Sequence, residues 1–296
     1  MYPRTGALGG CSQHNALIAI KPHENDWSYI QSITGDASWA PSNMLTYFER
    51  LEKCEYLPNS VAGHGFTGWL PTAVTNIELI AQDLKVTSLV IAAATTMGKG
   101  LLGGLLATVA GLAEVLTLDI NNPSPLRDQT EALYQVPLSM NLPAYSRASP
   151  RDWVLQVSKA TNADGSRAYH LDIQLNTLVT KINFNTTGAT PKATGVEFLV
   201  GQSLYRADPR STASTTSGTP GSVKATREVI ISAGTFNTPQ LLKLSGVGPA
   251  DELASFGIPL IKDLPGVGTN MQDRKYLPSP LEEFPLTLYD QVTKLE

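Results

Sequence analysis

Three stretches in the second half of the chain alternate apolar and polar residues with the two-residue period of a half-buried strand. They are LDIQLNTLVTKINFN (171–185), ATGVEFLVG (193–201) and SVKATREVIISAG (222–234). Gly, Asn, Pro and Ser separate them, so a set of sequential β-strands is predicted. Within the last stretch, Glu228 to Ala233 is β-branched and apolar and ends at Gly234, as a buried strand stopping at a tight turn would. Thr238 and Pro239 then predict a helix start, with a hydroxyl N-cap and a ring preset to helical φ at the first position. Leu241, Leu242 and Leu244 give that helix its apolar side, and Gly246 can end it in the left-handed conformation. At such a strand–turn–helix junction, free backbone N–H groups and the positive end of the helix dipole can meet a ligand. The same pattern also suits a purely structural βα unit.

The first half reads mainly as helix and loop. Met44, Leu45, Tyr47, Phe48 and Leu51 form a helical stripe behind Ser42 as N-cap, and core packing is their expected role. A short apolar helix is expected at Ala16–Ile20, and one continuous helix at Ile77–Thr96. Leu101 to Leu118 is almost wholly apolar, but Glu114 interrupts it and no basic cluster flanks it, so no membrane span is assigned. Gly98, Gly100 and Gly103 satisfy a GxGxxG spacing, with Asp119 beyond in the place of a ribose-binding acid. Thr95, Thr96 and Met97 part the apolar run from the first glycine, whereas the dinucleotide fingerprint needs its turn at the strand end. A helix–helix junction is the reading adopted. Residues 121–150 are rich in Pro, Asn and Ser and should be loop, after which Ser149, Pro150 and Asp152 begin a helix. Asp164-Gly165 is a turn, and Ser211–Ser222 is a low-complexity loop.

Composition narrows the function classes. The 296 residues are 42% hydrophobic and only 16% charged, with 24 Gly and 20 Pro, which favours a turn-rich globular chain over a helical bundle. A net charge of −4 gives no electrostatic reason for a nucleic-acid partner. Cys11 and Cys54 are too few for a disulfide framework or a cysteine metal cluster and read as free thiols. His64, between glycines, reads as a loop residue without a partner at metal spacing. HExxH, paired CxxC, P-loop and GxSxG patterns do not occur. Leu8 to Asn15, LGGCSQHN, is too glycine-rich for a strand. Gly9 and Gly10 permit close approach of a flat or charged ligand, and Ser12 or Asn15 can donate to it. An ordinary loop is the competing reading.

Taken together, SAGTFNTPQLLKLSGVG (232–248), FGIPLIKDLPGVGTNMQDR (256–274) and LGGCSQHN (8–15) resemble the signature regions of the glucose–methanol–choline (GMC) flavin oxidoreductases, in the expected order. The resemblance implies a mixed α/β (α+β) fold. It would comprise part of a Rossmann-like FAD-binding domain with a β-meander, and part of a helical, loop-rich substrate-side domain. Segments 1–58 (FAD-proximal), 59–149 (substrate-side), 150–274 (FAD-binding) and 275–296 (divergent tail) follow from it. It implies FAD as cofactor, with Leu8, Gly9, Gly10, Ser12, His14 and Asn15 along the isoalloxazine ring. Val179 would meet the adenine half, and Ala233 and Gly234 would border the cofactor. In choline-oxidising members a histidine in the GGCS-x-HN context carries the flavin covalently, so His14 is a candidate for that bond; a simple hydrogen bond near the cofactor is the alternative.

The implied reaction takes hydride from the CH–OH carbon of an alcohol onto the flavin, with oxygen or a quinone as acceptor. The family's histidine base belongs to a C-terminal region, and no histidine follows His170 here. The upstream phosphate fingerprint is not matched either, and Arg274 stands where the family continues with histidine. The expectation is therefore a central portion of such an enzyme, inactive alone, with a non-catalytic FAD-binding module or degenerate paralogue as the alternative. MYPRTGALGG lacks a secretory apolar core, and secreted and cytoplasmic locations both stay open.

Overall fold

The computed structural model describes residues 4–99, 109–116, 118–212 and 217–272. The chain divides into two compact units, Met1–Ile173 and Gln174–Glu296.

The first unit is built from helices and short strands. Helix α1 (Glu24–Thr34) opens with a capping box: His23 accepts from the Asn25 N–H, and Asp26 accepts from the His23 N–H. Helix α2 (Pro41–Leu51) begins with Pro41 at its first position and Ala40 as N-cap, so Ser42 lies inside rather than at the cap. Trp27 stacks on Trp39 and tilts against Phe48, tying α1 to α2. β1 (Glu52–Cys54) follows without a loop and pairs in parallel with β2 (Leu70–Thr72).

Two local expectations fail here. Ala16–Ile20 is not helical: Leu17 has φ 64° and Ile18 bridges to Leu138, and five residues are too few to repay helix nucleation. Ile77–Thr96 is not one helix. Asp83 breaks it into α3 (Ile77–Gln82) and α4 (Leu84–Ala94) by accepting from the Lys85 and Val86 N–H groups, a cap that outcompetes continuation. The GxGxxG spacing lies partly outside the described residues. No helix among those described is long and apolar enough to cross a membrane. After α5 (Val109–Leu116), residues 118–149 are mostly loop, with a small hairpin of β3 (Met140–Asn141) and β4 (Ser146–Arg147). Helix α6 (Pro150–Lys159) then starts as expected, on the Ser149–Asp152 capping box.

The second unit is organised on an antiparallel meander, β5 (Thr177–Asn185), β6 (Lys192–Val200) and β7 (Thr219–Lys224), in that spatial order. The third strand sits earlier than its apolar pattern suggests. Thr219–Ser222, within the low-complexity stretch, pairs with Glu197–Val200, while Glu228–Ala233 forms no ladder. A strand exists only where a neighbour takes its N–H and C=O groups, and among the described residues none lines up with this run. Its Ile230 is 77% exposed while Val229 and Ile231 are half-buried, so the expected buried strand is a partly exposed segment outside any ladder.

Helix α7 (Gly234–Leu244) starts at the glycine, with Ala233 as N-cap, and Pro239 falls inside it. Thr238, the fifth helical residue, is not the N-cap but reaches back to the start: its Oγ1 accepts the Ala233 N–H at 3.1 Å. Gly246 ends the helix at φ 86°, as read from the sequence. Buried Ser245 fixes that end to the meander, accepting the Ile182 N–H at 2.8 Å and donating to Leu241 O at 2.7 Å. β8 (Val247–Gly248) pairs in parallel with β9 (Lys262–Asp263), around α8 (Ala250–Ser255). Ile182, Leu204, Val247 and Leu253 are buried here.

Candidate functional site

The Leu8–Asn15 segment is a shaped loop. Gly9 (φ 94°) and Gly10 (φ 56°) both take left-handed backbone, and Gly10–Gln13 closes into one 3₁₀ turn. A Cβ on Gly9 would strike Gln13 and stand 3.0 Å from Arg151, whereas one on Gly10 would meet nothing within 4 Å. The turn is thus packed behind Gly9 and open beside Gly10. Ser12 spends its hydroxyl on Gly9 O at 2.6 Å, so it shapes the loop rather than offering a free donor.

The hairpin and α6 hold this loop from outside. Arg147 donates to Ser12 O (2.9 Å), Asn15 Oδ1 (2.7 Å) and Asn15 O (2.8 Å), and Gln13 Nε2 donates to Ser149 Oγ (2.8 Å). Arg147 and Ser149 gave no sign of this in the sequence; they lie more than 130 residues from their partners. His14 is exposed, with Nδ1 engaged by the Thr5 hydroxyl.

In the second unit, Val179 lies beside a register shift of β5 and is 39% exposed. Ala233 and Gly234 form the start of α7, and a Cβ on Gly234 (φ 90°) would meet nothing within 4 Å. Val179 and Gly234 therefore sit on separate elements of one unit. Bare backbone lies beside open space at Gly10 in the first unit and, separately, at Gly234 in the second, and each by itself leaves room for the close approach of a flat group such as the FAD rings. Within the second unit, an apolar cleft of about 410 Å³ is lined by Ile182, Phe184, Val229, Ile231, Leu242 and Val247. Its lining brings no titratable cluster together, so it offers shape rather than chemistry.

The sharpest chemistry in the described residues lies elsewhere, and it corrects the reading of His64; Cys54 is a free thiol, as read, but a buried one. His64 is fully buried between two carboxylates: Nδ1 lies 3.2 Å from Glu52 Oε1 and Nε2 lies 2.8 Å from Asp119 Oδ2. Glu52 and Asp119 are only 5% and 8% exposed. Lys21 Nζ binds Glu52 Oε2 at 3.0 Å, Thr72 Oγ1 donates to Glu52 Oε1 at 2.9 Å, and Tyr56 OH donates to Asp119 Oδ1 at 3.2 Å. Burial pulls His64 down, but its hydrogen bonds to Asp119, Cys54 and Glu52 more than offset this and raise it to about 11. Burial likewise pushes Glu52 up, and the His64 bond and Lys21 overcome it, holding the carboxyl at about 2. Burial, with Asp119 beside it, pushes the Tyr56 phenol well up. The centre is an imidazole held between two carboxylates, an arrangement that favours its protonated form.

His64 escaped notice because its partners lie 12 and 55 residues away. One signal existed: Glu52 and Cys54 alternate with exposed Lys53 along β1, so both project from one face. The Asp119 that mimics a ribose-binding acid serves this cluster instead. Close approach also explains the glycine after His64, since a Cβ on Gly65 would lie 1.7 Å from Glu49 O.

Mixed α/β architecture of this kind recurs in FAD-dependent oxidoreductases. An FAD-dependent oxidoreductase from Chaetomium thermophilum superposes with a TM-score of 0.60 at 21% identity, covering 89% of this chain and 38% of that one. Residues 158–276 match the GMC oxidoreductase family model. Human mitochondrial choline dehydrogenase is 39% identical over 92% of this chain and 36% of its own length. Dehydrogenase eriK of Hericium erinaceus is 29% identical over the whole chain and 43% of its own length. The chain belongs to the GMC oxidoreductase family. It spans about two fifths of the length of the curated relatives it matches.

Proposed function

We propose that this chain forms FAD-contacting and substrate-side parts of an oxidoreductase acting on the CH–OH group of an alcohol. The observation that carries this is the Leu8–Asn15 loop, held rigid behind Gly9 and open beside Gly10. When bound, FAD supplies the hydride acceptor, and oxygen or a quinone then takes the electrons. The chain's own residues bind and orient: Leu8, Gly9, Gly10, Ser12, His14 and Asn15 along the flavin ring, Val179 toward the adenine half, and Ala233 and Gly234 beside the cofactor. Main-chain groups do most of this work, since Ser12 and Arg147 are already committed to the loop itself.

Proton removal from the alcohol needs a base within hydrogen-bond reach. Among this chain's histidines, His64 is buried in ion pairs and His23 is held by Asp128 at 2.8 Å. The family's base belongs to a C-terminal region and no histidine follows His170, so the proposal is that these 296 residues alone bind flavin without turning over an alcohol. His14 is the proposed point of covalent attachment, being exposed and oriented through Nδ1 by Thr5. Loading the purified chain with FAD and passing it through gel filtration tests the reading. Flavin should co-elute with the wild type, and Gly10→Val should lose at least tenfold in affinity because a branched side chain would fill the open space. Equal retention by that variant, or none by the wild type, refutes it. After denaturing precipitation, yellow colour in the pellet supports the histidyl bond and colour only in the supernatant removes it.

A further inference from the structure

We infer that Glu52, Cys54 and His64 form a buried site for a divalent transition metal of the zinc class. One donor atom from each, a carboxylate oxygen, the Sγ and an imidazole nitrogen, lies within 4.8 Å of the other two, and all three residues are buried. A tetrahedral zinc with bonds of about 2.0–2.3 Å would set its donors roughly 3.3–3.8 Å apart, so ligation needs only a small contraction. His64 Nδ1 and Glu52 Oε1 already stand at 3.2 Å. The mixed thiolate, imidazole and carboxylate set suits zinc or cobalt, not calcium or magnesium, which prefer oxygen alone.

Each ligand is also aimed from outside. Asp119 accepts from His64 Nε2 at 2.8 Å, fixing the ring so that Nδ1 faces the other donors. This is the carboxylate–histidine arrangement that orients metal ligands in general. Lys21 takes Glu52 Oε2 at 3.0 Å and leaves Oε1 turned toward His64. Thr72 Oγ1, 2.9 Å from Oε1, or a water can complete the coordination. Cys54 and His64 Nδ1 must give up their protons on ligation, so two positive charges enter as two leave and the cluster's balance with Lys21 and Asp119 is kept. Asp119 is a positioning residue, not a ligand.

The test uses the full chain, stripped with chelator and titrated with cobalt(II). Wild type and Cys11→Ser should bind one cobalt per chain, with a thiolate-to-cobalt absorption band in the near ultraviolet. Cys54→Ser should lose the band while circular dichroism reports an intact fold. Asp119→Asn should keep the band's shape but bind roughly 10–100-fold more weakly. X-ray absorption of the zinc-loaded wild type needs no variant and should count one sulfur among nitrogen and oxygen neighbours. No stoichiometric uptake by the wild type, a band lost in Cys11→Ser but kept in Cys54→Ser, or a sulfur-free zinc shell each overturns the assignment.

Discussion

Replacing His64 by Gln isolates what the buried cation does in the chelator-treated chain. The substitution keeps most of the volume and one hydrogen bond but removes the positive charge between two carboxylates that are 5% and 8% exposed. Glu52 retains Lys21 at 3.0 Å, so most of the penalty should fall on Asp119. That residue keeps only neutral donors, Tyr56 OH at 3.2 Å and the Asn121 N–H at 3.0 Å. Removing one partner of a buried pair costs about 3–5 kcal/mol; since Glu52 stays paired, a loss near ~3 kcal/mol is expected. Adding Asp119→Asn should then recover about 1–3 kcal/mol by removing the orphaned charge. Urea unfolding followed by the fluorescence of Trp69, which stacks on Trp153 in the same unit, reads both values. A loss below about 1 kcal/mol, or a double variant weaker than the single one, would refute the reasoning.

The same cluster sets a pH window. His64 is raised from 6.5 to about 11, so its contribution is complete below 6.5 and is lost as pH climbs toward 11. Glu52 is lowered from 4.5 to about 2, so its contribution is complete above 4.5 and is lost as pH falls toward 2. Stability of the first unit should therefore peak between these limits, and His64→Gln should flatten the alkaline decline in a pH series of urea midpoints. Gly246→Ala forces φ 86° on a residue with a Cβ and drives that atom to 2.4 Å from Pro259 O; a loss of at least ~2 kcal/mol by thermal or urea unfolding is expected. Ile182→Ala should cost about 2–4 kcal/mol in the second unit by the same assay, since its side chain is fully buried.

The meander was legible because period-two alternation reports directly on a two-sided sheet, and β5 and β6 fall where the pattern puts them. The third strand slid earlier because pairing, not apolar content, decides where a strand lies. Thr219–Lys224 found β6 as a neighbour, and Glu228–Ala233 found none among the described residues. The start of α7 was placed late because Pro239, which suits a first turn, instead falls at the sixth position of the helix, and Thr238 reaches back to the Ala233 N–H from within. Gly9 and Gly10 announced a special loop, yet what holds it comes from Arg147 and Ser149, which no local pattern could connect. His64 was hidden for the same reason, its function being a property of three distant segments.

Arg147 grips the loop chiefly through carbonyl oxygens, Ser12 O and Asn15 O, which every amino acid possesses. The His14 side chain, which takes no part in that grip, can therefore be exchanged without letting go of the curve it decorates. A library varying His14 would alter what a ligand feels while the frame beneath stays put. The guanidinium thus anchors main chain more than side chain, which makes position 14 a forgiving place to redesign.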